Sequence, residues 1–474
     1  MQLVYQFIQA VKRRLLQDGD RLPGSRKIAE QLQIHRKTVV AALQELEAQD
    51  WIESIPNVGT FVRDPDQLQL PNKKHRTHPP KQAPYAFTQE MILDLPTSEK
   101  KQQLYFTDGT PDHRWIDVQE LLRFYAAVLK RKNQGIADPD KEAGGLFFRD
   151  QLSYYLNLSR GFLLSRTCIL PIMSREQIFS ILTRLLIQQG DTVLVETLSY
   201  YLPNMIFNQA GAHLSTVPID TQGMDVEYIR RHFKPGDIRF VYLNSRCQYP
   251  STRALSLERK KALVELASAY DFIIIEDDVD FESSHAKSRD PSLFSLDGGH
   301  RVIYIGSFGG FLHPEFQMHF LIAPEDLLRE ARKYQNIYGK ANFMLEKALG
   351  EMIQQGDILR YQRKAHKLLE ARKQVFETRL KHYFQDQIRF SPPSAGMAFW
   401  LEFKEAISLS QLQNLARKQG LLIPRICLYQ NHSTKALRLG FAHLDPEEIE
   451  KSIQLLYQSY QALYTYPLET KTPV

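Results

Sequence analysis

Four apolar runs beyond residue 103 constrain the fold of the chain most strongly. Each is short, rich in Val, Ile and Leu, and followed by polar residues, and helical patterns separate one run from the next. The runs lie at 192–196, 239–243, 272–276 and 302–306. Continuous apolar strands that alternate with helices are typical of a mostly parallel sheet covered on both faces. Because ligands of such folds bind beyond the carboxyl ends of the strands, we expect the polar residues after these runs to line a pocket.

Residues 1–66 have a different pattern, which predicts three helices and a hairpin. Apolar residues at helical spacing predict a first amphipathic helix that ends at Asp18-Gly19-Asp20. They are Val4, Phe7, Ile8, Val11 and Leu15. A second helix begins after Pro23-Gly24 with Ser25 as its N-cap, and we expect it to bury Ile28, Ala29 and Leu32. A third helix is predicted over 36–49, and the two strands of a wing over 51–55 and 59–62.

The third helix begins with Arg36, Lys37 and Thr38. Two short helices joined by a tight turn, with basic and hydroxyl residues at the start of the second, place side chains in a DNA major groove. Such residues can also be no more than a solvated helix start. That alternative is weaker here because the whole module agrees with DNA binding.

Three segments of this module resemble the motifs of GntR-type winged helix-turn-helix domains. They are 22–29, 35–40 and 55–62. The resemblance implies contacts from Arg26 to a phosphate or base, from Arg36 and Thr38 to the groove, and from the wing backbone at Gly59 to the minor groove. The full set of candidate DNA-binding residues is Arg26, His35, Arg36, Lys37, Thr38, Gly59 and Thr60. The expected partner is double-stranded operator DNA, read by a dimer on two half-sites.

Residues 67–103 are predicted to be a linker. The stretch 71–81 combines prolines with positive charge and has no acidic residue, which favours an extended, semi-stiff tether. A solvated linker is favoured over a DNA-binding segment, since basic runs are most often solvated.

Residues 104–474 resemble fold-type I, pyridoxal-phosphate-dependent aminotransferases. The matching segments occur in the family's order and include 106–112, 190–196, 248–250, 276–278 and 437–441. Joined to a GntR-like head, this body resembles that of MocR-type regulators. The resemblance implies a large subdomain of about 104–370, a small one of about 371–474, and a head-to-tail homodimer.

The same resemblance places a pocket in the body. Asp277 matches the aspartate that pairs with the cofactor's pyridine nitrogen, and Arg438 matches the arginine that binds a substrate carboxylate. Tyr200 matches an aromatic lining position, and Tyr249 lies in the retained Gln-Tyr-Pro turn. The alternatives are that Asp277 pairs with a neighbouring base, that Arg438 is a buried structural arginine, and that the tyrosines only pack.

Several of the family's cofactor contacts are missing from the sequence. Gly310 stands where the Schiff-base lysine is expected and Gln317 where an arginine pairs with the phosphate, so that Ser307 is the one residue left of that run. Val279 replaces a tyrosine, and Ser174-Arg-Glu176 replaces the phosphate-binding turn, where Arg175 is expected to compensate in part. Glycine has no amine for transamination, so we expect no catalytic residue and no covalent cofactor. Lys287, His313 and His319 are the nearest substitutes, and rescue by one of them is disfavoured because the phosphate contacts are lost too.

Composition limits the remaining choices. A net charge of +6 over 474 residues permits DNA binding without demanding it. The three cysteines are far apart and in no metal-ligand spacing, and neither a signal peptide nor an apolar membrane span is visible, which favours a cytoplasmic protein without a metal site.

The sequence thus predicts a DNA-binding transcription regulator with an inactive aminotransferase-like domain that serves dimerisation and effector binding. A small carboxylate or amino acid is the expected effector. One alternative is an enzyme or regulator that still binds pyridoxal phosphate noncovalently, and another is a structural partner whose head no longer binds DNA.

Overall fold

The structure, a computed structural model, describes residues 2–63, 82–83, 85–93, 103–115, 118–130, 143–284, 290–308, 311–312, 316–339, 342–430 and 434–465. It forms two compact units, Met1–Gln89 and Glu90–Val474. Most of the predicted linker, 67–103, lies outside the described residues.

The first unit is a small helical module with a three-stranded antiparallel sheet in the order β1-β3-β2. Its elements are α1 (Gln2–Lys12), β1 (Arg21–Leu22), α2 (Ser25–Gln31), α3 (Arg36–Ala48), β2 (Ile52–Ile55) and β3 (Gly59–Val62). Val4, Ala42, Leu46 and Ile52 form its core, so that α1 and α3 pack on the hairpin. The predicted helices and wing are present, and the strand β1 was not predicted.

Three details of the predicted head are wrong. The helix α1 ends at Lys12, so that Leu15 lies beyond it and is 73% exposed. Leu32 follows α2 and is half exposed, because α2 ends one residue before it. Ser25 is the first residue of α2 and not its N-cap, a position that Gly24 takes without a side-chain hydrogen bond.

The second unit contains the remaining elements. In chain order these are β4 (Leu104–Tyr105), α4 (Val118–Lys130), α5 (Ala143–Arg160), β5 (Ile169–Ile172), α6 (Arg175–Leu186), β6 (Thr192–Glu196), α7 (Tyr201–Gln209), β7 (His213–Val217), β8 (Ile219–Asp220), β9 (Gly223–Met224), α8 (Val226–His232), β10 (Phe240–Leu243), α9 (Leu257–Tyr270), β11 (Ile273–Asp277), α10 (Leu293–Asp297), β12 (Val302–Phe308), β13 (Met318–Ile322), α11 (Glu325–Tyr338), α12 (Phe343–Gln354), α13 (Asp357–Phe384), β14 (Ile388–Arg389), β15 (Ala398–Phe403), α14 (Leu409–Lys418), β16 (Leu421–Leu422), β17 (Leu428–Gln430), β18 (Lys435–Gly440) and α15 (Pro446–Thr465).

A seven-stranded sheet forms the centre of this unit, in the order β5-β13-β12-β11-β10-β6-β7. Within this seven-stranded sheet, β13 runs in the opposite direction to the other six strands. The four apolar runs of the sequence are β6, β10, β11 and β12, which are adjacent in the sheet. The predicted mostly parallel sheet is therefore confirmed.

Both faces of the sheet are buried, which explains why its strands are apolar without alternation. Val241 and Ile274 point into one core cluster, together with residues of α5, α9 and α12. The next residues, Tyr242 and Ile275, point into a second cluster that includes residues of α6. Successive strand residues face opposite sides, so a strand covered by helices on both sides must be apolar at every position.

A smaller four-stranded antiparallel sheet, β14-β15-β18-β17, packs with the long helix α13 and with α14 and α15 in a further core. The helix α13 joins the subdomains, since Ile358 packs in the large core and Phe376 in the small one. Leu104 and Phe106 also belong to the small core, because β4 pairs with β16. The predicted large subdomain of 104–370 therefore begins too early.

Candidate functional site

The start of α3 carries the predicted DNA-binding side chains. His35 is the N-cap of this helix, and its Nδ1 accepts a hydrogen bond from the Lys37 amide at 3.2 Å. Arg36 Nε lies 3.4 Å from Ser25 Oγ, which brings the start of α3 against the start of α2, where Arg26 follows. Side chains of all the polar candidates in this region, Arg26, His35, Arg36, Lys37 and Thr38, are exposed. The structure therefore groups basic and hydroxyl side chains on the surface at two adjacent helix starts.

The wing glycine has a local structural role. Gly59 has φ +148°, and a Cβ on it would lie 2.8 Å from Nε of Arg21. Arg21 lies on β1 and donates from Nη2 to the Val58 carbonyl at 2.6 Å. The wing backbone is thus in contact with an arginine that sequence reasoning missed, since the two-residue strand β1 has no periodic signal. Thr60 pairs across the hairpin with Ser54, their hydroxyl oxygens 3.4 Å apart.

In the second unit, the three acidic residues at the end of β11, Glu276, Asp277 and Asp278, have different partners. Glu276 accepts hydrogen bonds from the amides of Leu293 and Phe294, both at 2.9 Å, and so caps the short helix α10. Asp278 forms a buried ion pair with Arg246, with the shorter contact at 2.8 Å. Asp277 is the member of the run that was predicted to face the pocket, and its partners are different.

Asp277 is fully buried and bound to an arginine. Arg175 Nε donates to Asp277 Oδ2 at 3.0 Å, and Arg175 Nη2 donates to the same oxygen. The Tyr242 hydroxyl donates to Oδ2 as well, at 2.7 Å. Burial opposes the charge of Arg175, but the Asp277 carboxylate, together with Tyr242 and Tyr200, outweighs the effect of burial and raises the pKa of the guanidinium. Oδ1 of Asp277 is buried and accepts no hydrogen bond within the described part of the chain.

Arg175 also stacks on a predicted pocket residue. Its guanidinium carbon lies 4.8 Å from the ring centre of Tyr200 and 5.7 Å from that of Phe179. Arg175 is the first residue of α6, directly after the N-cap Ser174, whose hydroxyl accepts from the Gln177 amide at 3.1 Å. The expectation that Arg175 compensates for a lost phosphate contact therefore differs from the structure, in which its side chain reaches the end of β11 instead.

Ser307 and His319 face each other on β12 and β13. The Ser307 hydroxyl donates to the Val279 carbonyl at 3.0 Å, so its proton is used inside the protein. Burial and the neighbouring positive charge of Arg175 lower the pKa of His319 to about 4, which keeps its imidazole neutral. Its Nδ1 is buried without a hydrogen bond to any described residue. Gly310, Lys287 and His313 lie outside the described residues.

Arg438, the predicted carboxylate-binding residue, joins the two subdomains. It lies on β18 of the small subdomain, and its Nη1 donates to the Pro250 carbonyl at 2.8 Å. Its Nε donates to the Asp108 carbonyl, also at 2.8 Å, and its guanidinium lies 4.5 Å from the ring centre of Tyr249. Two of its donor groups are therefore engaged by backbone carbonyls, as expected of a structural arginine.

The two predicted tyrosines connect these arginines. The ring centres of Tyr200 and Tyr249 are 5.1 Å apart, so that Arg175, Tyr200, Tyr249 and Arg438 form one continuous series of contacts. Asp280, which sequence reasoning missed, lies near both arginines. Burial raises the pKa of its carboxyl, and the charges of Arg438 and Arg175 partly offset that effect. Its position three residues after Asp277 was the available signal.

Two negative findings bear on other functions. The described residues contain no group of three or more His, Cys, Asp or Glu that could hold a metal ion. Among the helices that the structure describes, none is long and apolar enough to cross a membrane.

Comparison with known proteins agrees with both parts of the chain. Residues 2–62 match the family described as bacterial regulatory proteins, gntR family, and residues 131–456 match aminotransferase class I and II. The chain is 24% identical over 455 residues to the probable rhizopine catabolism regulatory protein MocR of Rhizobium meliloti, which covers 94% of this chain and 91% of that protein. It is 26% identical over 457 residues to the HTH-type transcriptional regulator TauR of Rhodobacter capsulatus, over 92% of this chain and 91% of that protein.

Solved structures support the fold of the body. The kynurenine aminotransferase of Pyrococcus horikoshii superimposes with a TM-score of 0.70 at 20% sequence identity, over 79% of this chain and 97% of that one. A regulatory head before an aminotransferase-like body defines the class of the protein as a DNA-binding transcription regulator. The chain belongs to the aminotransferase class I and II family and carries a gntR head, which is the MocR-type architecture, so the predicted family and fold are confirmed.

Proposed function

We propose that this regulator binds operator DNA through the start of α3 and the wing, and that its body has no aminotransferase activity. The observation that carries the DNA-binding part is the exposed cluster at the two adjacent helix starts. Arg36 contacts Ser25, and Arg26 is the next residue along α2. Phosphate contacts from such arginines supply affinity, and base contacts at a helix start supply sequence choice. MocR and TauR, which match nearly the whole chain, are named as regulators.

The proposal of an inactive body rests on residues at two places. Gly310 offers no amine at the position of the family's lysine, and Gln317 offers no positive charge to a phosphate. Asp277, the partner expected for a pyridine nitrogen, already has a guanidinium on its Oδ2. These residues do not fit pyridoxal phosphate, so the body is proposed to work without it.

The body is proposed to serve instead as the dimerisation and effector domain of a cytoplasmic head-to-tail homodimer. A dimer presents two heads to two half-sites, which a single small module needs for tight binding. A small carboxylate or amino acid remains the proposed effector class, with Arg438 as the proposed carboxylate-binding residue and the buried Asp280 near it. Closure of the subdomains on a ligand would move α13, because this helix packs in both cores.

A mobility-shift titration of the purified protein on its own upstream DNA tests the DNA-binding part. Arg36→Ala should weaken specific binding by about tenfold to a hundredfold, because a phosphate or base contact contributes about 1–3 kcal/mol. Arg13→Ala is the matched control, since it removes the same charge from the exposed turn after α1. Equal binding by wild type and Arg36→Ala, or no specific complex at all, would contradict the proposal.

Incubation with pyridoxal 5′-phosphate and an amino donor tests the inactive body. The wild-type protein should show no borohydride-reducible adduct and no transfer of an amino group. A stable adduct by mass spectrometry, or a keto acid product, would support the alternative of a body that still uses the cofactor.

A further inference from the structure

We infer that the Arg175 side chain takes the place of the cofactor ring. Its guanidinium makes the contacts that a protonated pyridine would need, so it blocks the binding of cationic aromatic heterocycles at this site. The inference deepens the proposed function and rests on it, because it explains how a body without cofactor keeps this buried site folded.

The contacts of Arg175 match what a pyridinium ring requires. Such a ring is a flat cation that needs a carboxylate at its nitrogen and an aromatic surface at its face. Guanidinium is also flat and cationic, and it pairs with carboxylates and stacks on aromatic rings. In this protein Arg175 has both partners at once, with Asp277 Oδ2 at 3.0 Å from Nε and the Tyr200 ring centre at 4.8 Å. These are the two residues that the sequence assigns to a cofactor ring.

Charge balance makes the two occupants mutually exclusive. Asp277 is fully buried, and Tyr242 already donates a further hydrogen bond to the oxygen that Arg175 contacts. One buried carboxylate can balance one cation, and a second cation would leave uncompensated charge in the interior, which is costly. His319 cannot balance a second cation, because its imidazole is neutral above about pH 4 and positively charged below it. The next carboxylate, Asp280, has Asn244 on its Oδ2 at 3.1 Å.

The position of Arg175 also explains why one residue suffices. Arg175 is the first residue of α6, and its side chain reaches Asp277 at the end of β11. The pair joins residues 102 positions apart, and it fixes the start of α6 to the sheet. The Arg175 side chain is 21% exposed whereas Asp277 is 0% exposed, so Arg175 is the member of the pair that reaches solvent.

Removal of the side chain should therefore open a site for the heterocycle. Pyridoxamine is a suitable probe, because it has the ring but neither an aldehyde nor a phosphate. We expect wild type to give no saturable change in pyridoxamine fluorescence at millimolar concentration, and Arg175→Ala to bind at least about tenfold more tightly. The double variant Arg175→Ala/Asp277→Asn should lose that gain, since the carboxylate is what recognises the cation. Arg184→Ala, an exposed arginine on the same helix, is the matched control.

A second measurement covers the case in which Arg175→Ala does not fold. In a double-mutant cycle, Arg175→Met should lower the equilibrium constant for folding by about a hundredfold, and Asp277→Asn added to it should restore most of the loss. Failure of the double variant to recover stability would overturn the inference. Equal binding of pyridoxamine to wild type and to a folded Arg175→Ala variant would also overturn the inference.

The inference and the proposed function fail in different ways. Pyridoxamine binding to wild type without amino transfer overturns the self-filled pocket and leaves the regulator proposal standing. Amino transfer by wild type, or loss of specific DNA binding, overturns the proposed function whatever Arg175 does.

Discussion

Arg175 and Asp277 form a largely buried ion pair that joins the first residue of α6 to the last residue of β11, where the sequence resemblance predicts a cofactor site. The pair is held on one side by the Tyr242 hydroxyl and on the other by the Tyr200 ring. Asp277, which the sequence resemblance predicts to bind a cofactor, is therefore paired with a side chain of the protein itself. The pocket residues Asp277 and Tyr200 are retained, but their contacts are with the protein itself.

Loss of the Asp277 carboxylate should be strongly destabilising. Asp277→Asn leaves the partly buried guanidinium of Arg175 without its counter-ion. Breaking a fully buried pair typically costs about 3–5 kcal/mol, and we expect a loss near the lower end because the Arg175 side chain is 21% exposed. Urea unfolding should show a lower midpoint at an unchanged slope. Asp386→Asn is the control, since that carboxylate is fully exposed and should change stability little. Equal midpoints for the two variants would show that the pair is not needed.

Glu346 should make the protein less stable as the pH rises to neutrality. Burial raises the pKa of its carboxyl from 4.5 to about 7, with an opposing effect of Arg149. The folded chain therefore binds a proton that the unfolded chain has lost between about pH 4.5 and pH 7, so stability falls across that window and is level above it. Glu346→Gln should flatten the profile and raise stability above pH 7 by up to about 3 kcal/mol. Glu447→Gln, an exposed glutamate in the first turn of α15, should leave the profile unchanged.

His319 should oppose folding on the acidic side. Burial, and next the charge of Arg175, lower the pKa of its imidazole from 6.5 to about 4. Between about pH 6.5 and pH 4, His319 is protonated in the unfolded chain but neutral in the folded chain. The free energy of unfolding therefore decreases as the pH falls through this range. His319→Gln should reduce that loss in thermal denaturation at a series of pH values. His213→Gln, on the exposed edge of β7, serves as the control, and an unchanged acid limb in His319→Gln would count against the assignment.

Gly59→Ala should weaken the wing through its own backbone. The φ of +148° is a conformation that residues other than glycine rarely adopt, and it should cost about 1–3 kcal/mol. Arg21→Ala in the same chain should recover only part of the loss, because the contact at 2.8 Å involves the movable end of a side chain whereas the backbone strain remains. Thermal unfolding of the head would show both effects. Full recovery in the double variant would mean that the Arg21 contact alone requires the glycine.

The large sheet could be predicted from the sequence because its strands are buried on both faces. A short apolar run such as 302–306, placed between helical patterns, fits a strand that is covered by helices on both sides, and it lies within β12. Shorter elements had no such signal. The strand β1 is only two residues long, Arg21–Leu22. Leu15 continues the helical spacing of apolar residues, but the helix ends at Lys12.

The candidate site was predicted less well than the fold. Tyr200, Tyr249, Asp277 and Arg438 do meet in contacts around one region, as expected from strand ends. Their actual partners could not be predicted, because the Arg175 contact spans 102 residues and depends on the rotamer of one side chain. The sequence resemblance predicts that several cofactor contacts are missing, and the structure shows that Arg175 contacts Asp277.

DNA binding by this regulator should not depend on pyridoxal phosphate. A mobility-shift titration on its own upstream DNA tests this independence directly, with protein purified free of the cofactor, and with the cofactor then added. We expect a specific complex of the same affinity in both conditions, weakened by about tenfold to a hundredfold in Arg36→Ala and unchanged in Arg13→Ala. A complex that forms only after pyridoxal phosphate is added would contradict a regulator that works without it.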